Sequence, residues 1–250
     1  MNLLIDLGNS RIKWAWADGT TLREQGAARY AGRPLAAVLE QMASDGVVVE
    51  RAVVASVAAR TINDELSDWL AEHYRLTATL VRAEAAAFGV TNAYAEPGRL
   101  GADRWAALIG ARQRTTDAVC VVDCGTAITI DMLDAGGRHR GGLIGPGIMT
   151  MRRALYGAAA GISDEGEGLV TPLASDTRSA VTAGTVYAAA AFVDRVHSEL
   201  EREWGRMLRC LITGGEAATL QPLLRMKCKP APDLVLEGLA VIAKGSGLSK

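Results

Sequence analysis

The chain has 250 residues, 49% of them apolar, and a formal net charge of −1. That is enough chain for one large domain or two smaller ones with real cores. The balanced charge excludes a polycationic nucleic-acid binder and a disordered acidic tail. The basic cluster at residues 202–209 is interrupted by Glu203 and Trp204 and reads as a solvated helix end. No nucleic-acid or membrane partner is expected. The opening MNLLIDLGNS has no basic region ahead of its apolar run, and Asp6 breaks that run, so it makes a poor secretory signal. The alanine-rich stretch at 187–193 is too short and too closely flanked by charge to cross a bilayer. Cys120, Cys124, Cys210 and Cys228 lack paired-ligand spacing, which reads as reduced thiols in a cytoplasmic protein.

In chain order, a strand is predicted over 3–7, then a turn and an alternating strand through Ile12, Trp14 and Trp16, with Asp18-Gly19 turning the chain. Leu35, Val38, Leu39 and Met42 recur at helical spacing. The run at 51–58 reads as a strand covered on both faces. Thr61 is placed to cap a helix whose apolar face is Ile62, Leu66, Trp69 and Leu70. A short strand at 76–81 precedes TNAYAEPGRLGADR, a loop shaped by Pro97 and its glycines that feeds a helix over 102–112. The expected boundary lies at 115–118, giving domains 1–116 and 117–250, with the terminal helix a candidate to pack back on the first.

The second half predicts strands at 118–123 and 127–133, a turn at 134–137, and a strand running into RGGLIGPG. Pro146-Gly147 introduces a helix through Met151 and Leu155. The charged segment 163–168 reads as mobile or solvent-facing, and 178–204 as one long helix despite Gly184. A strand at 208–213 ends at Gly214-Gly215, Glu216 starts another helix, and a last strand at 234–236 leads into a last helix from Glu237. Repeated strands followed by helices make this an α/β protein.

One phrase occurs twice. IDLGNS and VDCGTA each end an apolar run in Asp-x-Gly, with Asp6 and Asp123 separated by 117 positions. A carboxylate at a strand end followed by a glycine that admits a phosphate suits a nucleotide site shared by two related lobes. The chain therefore reads as a nucleotide-dependent phosphotransferase. Neither GxxxxGK[ST] nor a complete GxGxxG is present. Lys13 either meets phosphate charge or is a solvated strand lysine. At the GADR phrase, Asp103 is either a general base or a helix cap, with Arg104 either a substrate ligand or turned to water. Tyr94 suits a partly polar ligand or plain loop packing. Gly214 and Gly215 either admit a nucleoside or make a compact turn. His73, His139 and His197 are dispersed and are not expected to be catalytic.

Together, IDLGNSRIKW, GADRW, VVDCGTAIT, GGLIGPG, ITGGEA and PDLVLEGL resemble the type III pantothenate kinase family, over nearly the whole chain. The family includes the Bvg accessory factor group. The resemblance implies an acetate-and-sugar-kinase, Hsc70 and actin-like fold, with two ribonuclease-H-like lobes around a central cleft. It implies ATP-dependent phosphorylation of pantothenate, the first step toward coenzyme A, by a homodimer using a divalent ion such as Mg2+ and a monovalent cation, K+ or NH4+. By resemblance, Asp6, Gly8, Asn9 and Ser10 handle phosphate and metal-nucleotide, with Ser10 in the usual threonine position, and Lys13 beside them is counted with the phosphate-binding residues. Asp123, Gly125 and Thr126 form the second phosphate phrase, with Asp6 and Asp123 as metal residues and their roles undivided. Asp103 becomes the general base and Arg104 the ligand of the substrate carboxylate. Tyr94, Gly101 and Thr177 line the pantothenate site, although Asp176 stands where asparagine is frequent and helix capping by Asp176 or Thr177 is the alternative. Gly214 and Gly215 face the adenosine. GGLIGPG shapes the rim and starts a helix. The long helix, through Ala180, Val181, Gly184, Ala188 and Ala191, with Tyr187 and Phe192 beside them, is the expected dimer element. The competing readings are a kinase for another small hydroxy acid and a nucleotide-binding regulatory protein of the same fold.

Overall fold

The computed structural model describes residues 1–42 and 48–245. The last five residues of the expected second domain, 246–250, lie outside the described set. The chain forms two compact units. One comprises Met1–Thr116, Leu133–Gly141 and Asp233–Lys250, and the other Asp117–Met132 and Gly142–Pro232.

The first sheet is built from β1 (Asn2–Leu7), β2 (Arg11–Asp18), β3 (Thr21–Arg29), β4 (Arg51–Ser56) and β5 (Ala78–Leu80), in the order β3-β2-β1-β4-β5. β1, β2 and β3 form an antiparallel meander, and β4 and β5 add in parallel. Alternation along β1 and β2 sends Leu3, Ile5, Leu7, Ile12, Trp14 and Trp16 to one face. There they pack with the short helix α1 (Ala36–Leu39) and with Leu66, Trp69 and Leu70 of α2 (Arg60–Tyr74). The other face meets α3 (Ala102–Arg114) and α7 (Leu234–Gly245). With helices on both faces, β4 can be apolar at consecutive positions.

The second sheet repeats this order as β10-β9-β8-β11-β12, from β8 (Val119–Cys124), β9 (Ala127–Leu133), β10 (His139–Pro146), β11 (Arg209–Thr213) and β12 (Lys229–Pro230). Cys120, Val122, Ile128, Ile130 and Ile212 share a core with Ile148 of α4 (Ile148–Ala158) and with Val186, Ala190 and Val193 of α5 (Thr177–Trp204). A short helix α6 (Ala217–Leu220) follows β11. A two-stranded ribbon, β6 (Ala86–Ala87) and β7 (Val90–Thr91), lies within the loop before α3.

The sequence reading placed no strand at 21–29: β3 is largely exposed and carries no apolar alternation, and it is held by pairing to β2, with Gly26 lying against the Trp14 indole. Other expectations are corrected. Ala59, not Thr61, is the N-cap of α2, with no side-chain capping bond, and Thr61 sits inside the first turn. Residues 234–236 are not a strand but the first turn of α7. Leu234, Val235, Leu236, Gly238, Leu239 and Ala240 are all buried, so the helix is apolar nearly all round and its periodicity is hidden. Close packing against α3 demands the glycine at 238, where a Cβ would lie 1.9 Å from the Ala106 carbonyl oxygen. The charged segment 163–168 is solvent-facing but tethered. Arg152 reaches Glu167 at 3.2 Å, and Gly168 N donates to Thr182 Oγ1 at 2.9 Å.

Candidate active site

In the first unit, the antiparallel register sets Asp6 directly opposite Lys13. Opposite charges in such a pair attract across the strands and leave the same sheet face. Leu3, Ile5 and Leu7 occupy the other face, so the pleat alone dictates the side on which Asp6 emerges. The turn between them is held from β3. Gly8 N donates to Arg11 O at 3.0 Å, Tyr30 N donates to Ser10 O at 3.1 Å, and the Tyr30 hydroxyl donates to the Gly8 carbonyl. Burial pushes the Tyr30 phenol up, which keeps it a donor. Asn9 is exposed at the tip, and Asp6, Gly8, Ser10 and Lys13 are half-buried. Burial also raises the Asp233 carboxyl, while Lys13 pulls it back down. Lys13 is therefore set among carboxylates rather than in open solvent.

The loop before α3 is pinned by Asn92, whose Nδ2 donates to Glu84 O and Pro97 O, each at 3.2 Å, and whose Oδ1 accepts from Tyr94 N at 3.0 Å. Gly101 is the N-cap of α3, and a Cβ there would fall 2.6 Å from Asp103 Oδ1. Glycine thus leaves the space that the Asp103 carboxylate occupies at the helix start. That carboxylate accepts from Arg104 N at 2.7 Å. Its place in the first turn is electrostatically favourable. Arg104 does not face water. It is 6% exposed, donates from Nη1 to Tyr94 Oη at 3.0 Å, and lies 5.8 Å from the Tyr94 ring centroid. Tyr94, Gly101, Asp103 and Arg104 are therefore brought together in one group.

In the second unit, two separated motifs converge on the Asp123–Thr126 turn. Asp123, next to last in β8, is in register with Thr213 of β11. Gly125 N donates to Ala127 O at 3.0 Å, Gly147 N to Thr126 O at 3.0 Å, and Glu216 N to Cys124 O at 2.9 Å. Gly147 N-caps α4, and a Cβ there would lie 2.0 Å from Gly125 O. Gly214, at φ +96°, is packed so closely that a Cβ would approach Asp123 Oδ1 to 2.5 Å. Gly215 and Thr126 are exposed at the surface of this cradle. The neighbouring Cys124 thiol is buried and pushed up by that burial, which makes it a poor nucleophile.

Sequence reasoning missed Glu216 as a site residue. Its Oε2 accepts from Ile148 N at 3.1 Å and so joins the glycine turn after β11 to the start of α4. A carboxylate directly after Gly-Gly was the available signal. Thr177 is exposed in the first turn of α5, on a groove of about 770 Å³ between α4 and α5 that also includes Pro146, Thr150, Met151, Ala180 and Gly184, and Thr150 Oγ1 donates to Thr126 O of the cradle at 2.6 Å. The cap of α5 is Asp176, which accepts from Ser179 N at 2.8 Å. That hydrogen bond lowers the Asp176 carboxyl.

Among the described residues, no group of three or more His, Cys, Asp or Glu side chains is arranged to hold a metal ion. The carboxylates at the two Asp-x-Gly turns are instead Asp6 in one unit and Asp123 with Glu216 close by in the other, beside glycine-lined backbone. That set fits a hard cation taking one or two protein oxygens and completing its shell with phosphates and water.

Two sheets of the same order, each ending its first strand in an Asp-x-Gly turn, define an α/β phosphotransferase of the acetate-and-sugar-kinase, Hsc70 and actin superfamily. The family model described as type III pantothenate kinase matches residues 2–199. A type III pantothenate kinase of Nitrosococcus oceani is 42% identical, covering 98% of this chain and 94% of that protein. One of Azoarcus sp. is 39% identical, covering 97% and 90%. The solved structure of the ethanolamine utilization protein EutJ from Carboxydothermus hydrogenoformans shares the fold, with a TM-score of 0.55 at 16% identity, covering 96% of this chain and 89% of that one. The chain belongs to the type III pantothenate kinase family, and it is an enzyme.

Proposed function

We infer that the family's reaction, ATP-dependent phosphorylation of pantothenate, is carried in this chain by Asp103 as general base with Arg104 and Tyr94 beside it. The observation that supports this most is the Gly101 gap that seats the Asp103 carboxylate next to a buried arginine. The primary hydroxyl of pantothenate attacks the terminal phosphorus of ATP in line. The bond from that phosphorus to ADP breaks, and Asp103 accepts the hydroxyl proton. The Arg104 fork is suited to the substrate carboxylate, Tyr94 and Gly101 line the pantoyl side, and Thr177 contributes from α5. No covalent phosphoenzyme is required.

Asp6, Gly8, Asn9, Ser10 and Lys13 handle the phosphates from one turn, and Gly125 and Thr126 from the other, with Gly214 and Gly215 toward the adenosine. Asp6 and Asp123 would hold Mg2+, and K+ or NH4+ would sit near the same phosphates. These ions, when bound, neutralise charge on the transferring group. We also take 1–116 and 117–250 as the two repeats, each carrying one of the five-stranded sheets, and the cytoplasm as the location. Among the described residues, no helix is long and apolar enough to cross a membrane.

A homodimer is part of this reading. Ala180, Gly184, Tyr187, Ala188 and Ala191 are exposed along α5, and Leu143, Ile144, Leu155 and Leu173 add apolar surface, with Leu173 90% exposed. A second copy covering this stripe would bury it. The test of the function is direct detection of phosphopantothenate from purified protein, ATP, Mg2+, K+ and pantothenate. Folded protein that binds ATP yet makes no product across divalent and monovalent salts would overturn it. Omitting K+ and substituting other hydroxy acids examines the cation and the acceptor. Sedimentation of an active monomer at assay concentration would overturn the dimer requirement.

A further inference from the structure

His139 opens β10 and is only 3% exposed. Its ring lies nearly parallel to that of Tyr94, with centroids 6.1 Å apart and planes inclined by 17°. Tyr94 in turn accepts from Arg104 Nη1 at 3.0 Å, and the Arg104 guanidinium carbon is 5.8 Å from the Tyr94 centroid. The three side chains therefore form one connected stack of imidazole, phenol and guanidinium.

The segment carrying His139 is fastened to the loop carrying Tyr94. Thr91 N donates to Gly137 O at 2.8 Å, and Thr91 also bridges Arg138. Arg112 Nη1 donates to Ala135 O at 3.0 Å. Gly137, at φ +79°, packs so closely that a Cβ would fall 2.0 Å from Gly89 O. This docking places the β9–β10 turn with the first unit, to which Leu133–Gly141 belongs.

We propose that His139 is a positioning residue for the acceptor site, the flat surface that fixes the Tyr94 ring plane and, through the Tyr94 hydroxyl, the Arg104 guanidinium. The proposal rests on the reading of Tyr94 and Arg104 as pantothenate contacts. Asp103 is seated by the Gly101 gap and the helix start, not by this stack. Loss of the imidazole therefore loosens pantothenate capture and leaves proton acceptance in place. The effect belongs in KM for pantothenate, not in kcat.

The experiment measures initial rates against pantothenate at saturating ATP, with thermal melting, for the full-length protein and for His139→Ala, His139→Phe and His139→Leu. An aromatic pair of this geometry corresponds to about a 2- to 10-fold change in binding. His139→Ala and His139→Leu should raise KM by that factor with kcat within about twofold. His139→Phe, which restores a flat ring, should return KM to near the native value. In a Tyr94→Ala background, His139→Ala should add nothing further. Folded His139→Ala or His139→Leu with native KM overturns the proposal, as does His139→Phe as impaired as His139→Leu. An undiminished His139 effect without Tyr94 overturns it as well. His139→Leu fills the buried volume, so the comparison with phenylalanine stands even where alanine does not fold. Wild-type protein that neither binds nor phosphorylates pantothenate removes the underlying reading and the proposal together. An active wild type with indifferent His139 variants removes the proposal alone.

Discussion

Replacing Gly101 by alanine tests the Asp103 assignment through geometry. The new Cβ would lie 2.6 Å from Asp103 Oδ1, whereas ordinary contact begins near 3.4 Å, so the carboxylate must withdraw by about 0.8 Å. Little else resists the methyl group, since Val57 Cγ1 is 3.7 Å away and Gly101 has φ −55° and ψ 140°, which alanine adopts. Alanine is a poorer N-cap than glycine by about 0.5–1 kcal/mol, so melting should fall by a few degrees without loss of fold. A displacement approaching 1 Å at a reacting group can cost up to about 10²-fold in rate. Gly101→Ala should thus lower kcat by about 10- to 10²-fold. Asp103→Asn, which removes the base outright, should lower it by about 10²-fold or more. The double variant should be scarcely worse than Asp103→Asn, because both changes act on one carboxylate. The assay is steady-state kcat and KM for pantothenate on protein shown to be folded. A Gly101→Ala enzyme with native kcat, or multiplicative losses in the double variant, would refute the assignment. A rise confined to KM would show that the methyl blocks substrate rather than moving the base.

The glycines around the Asp123–Thr126 turn should separate by function. At Gly125 a Cβ would meet only Ala127 O and Asp123 Oδ1, each at 3.7 Å, so Gly125→Ala should melt like the wild type while KM for ATP rises. At Gly147 and Gly214 a Cβ would meet backbone at 2.0 and 2.3 Å, so alanine at either should lower the melting temperature by several degrees. Gly238→Ala drives a methyl into the Ala106 carbonyl and should cost about 1–3 kcal/mol in denaturant unfolding, with activity surviving in whatever fraction stays folded. The Asp176 carboxyl is lowered by its capping bond to Ser179. Its contribution is therefore present above the unfolded carboxylate pKa and is lost as pH falls through the depressed folded value. Asp176→Ala should lower melting at neutral pH, and the gap from wild type should close in acid. A gap that widens in acid would contradict that sign.

What was legible in the fold follows from whether each element's burial has one face or two. β1 is an apolar run broken at Asp6, and along β2 Ile12, Trp14 and Trp16 alternate with smaller or charged residues on the face that carries Lys13, so both strands could be read directly. β3 could not, because TLREQGAAR is held by backbone pairing to β2 and by Gly26 against Trp14, neither of which writes an apolar pattern. α7 failed for the opposite reason. Between the sheet and α3 it buries nearly every side, and a helix apolar all round begins with the same residues as a buried strand. Thr61 shows a propensity overridden by register. A capping residue was available, but the helix starts two residues earlier than a Thr61 cap would place it, at Arg60, with Ala59 at the cap.

At the site, local chemistry was legible and distant contacts were not. Asp-x-Gly and Gly-x-Asp-Arg announce themselves because a carboxylate and the glycine that makes room for it lie within three residues, as at Gly101 and Asp103. The contact that joins Glu216 to Ile148 N spans 68 positions, and the Tyr94 ring meets His139 only after the β9–β10 turn docks on its loop. Neither partner follows a spacing rule, so each looked like an ordinary surface or core residue in the sequence. Arg104 is the instructive case between these extremes. Its position after Asp103 left substrate ligand and solvated helix arginine equally open, and its burial under Tyr94 removes the solvated alternative. A buried guanidinium is costly unless its donors are engaged. Tyr94 engages one of those donors and the His139 ring lies alongside Tyr94, so on the acceptor-site reading proposed above this stack sets where a substrate carboxylate is received.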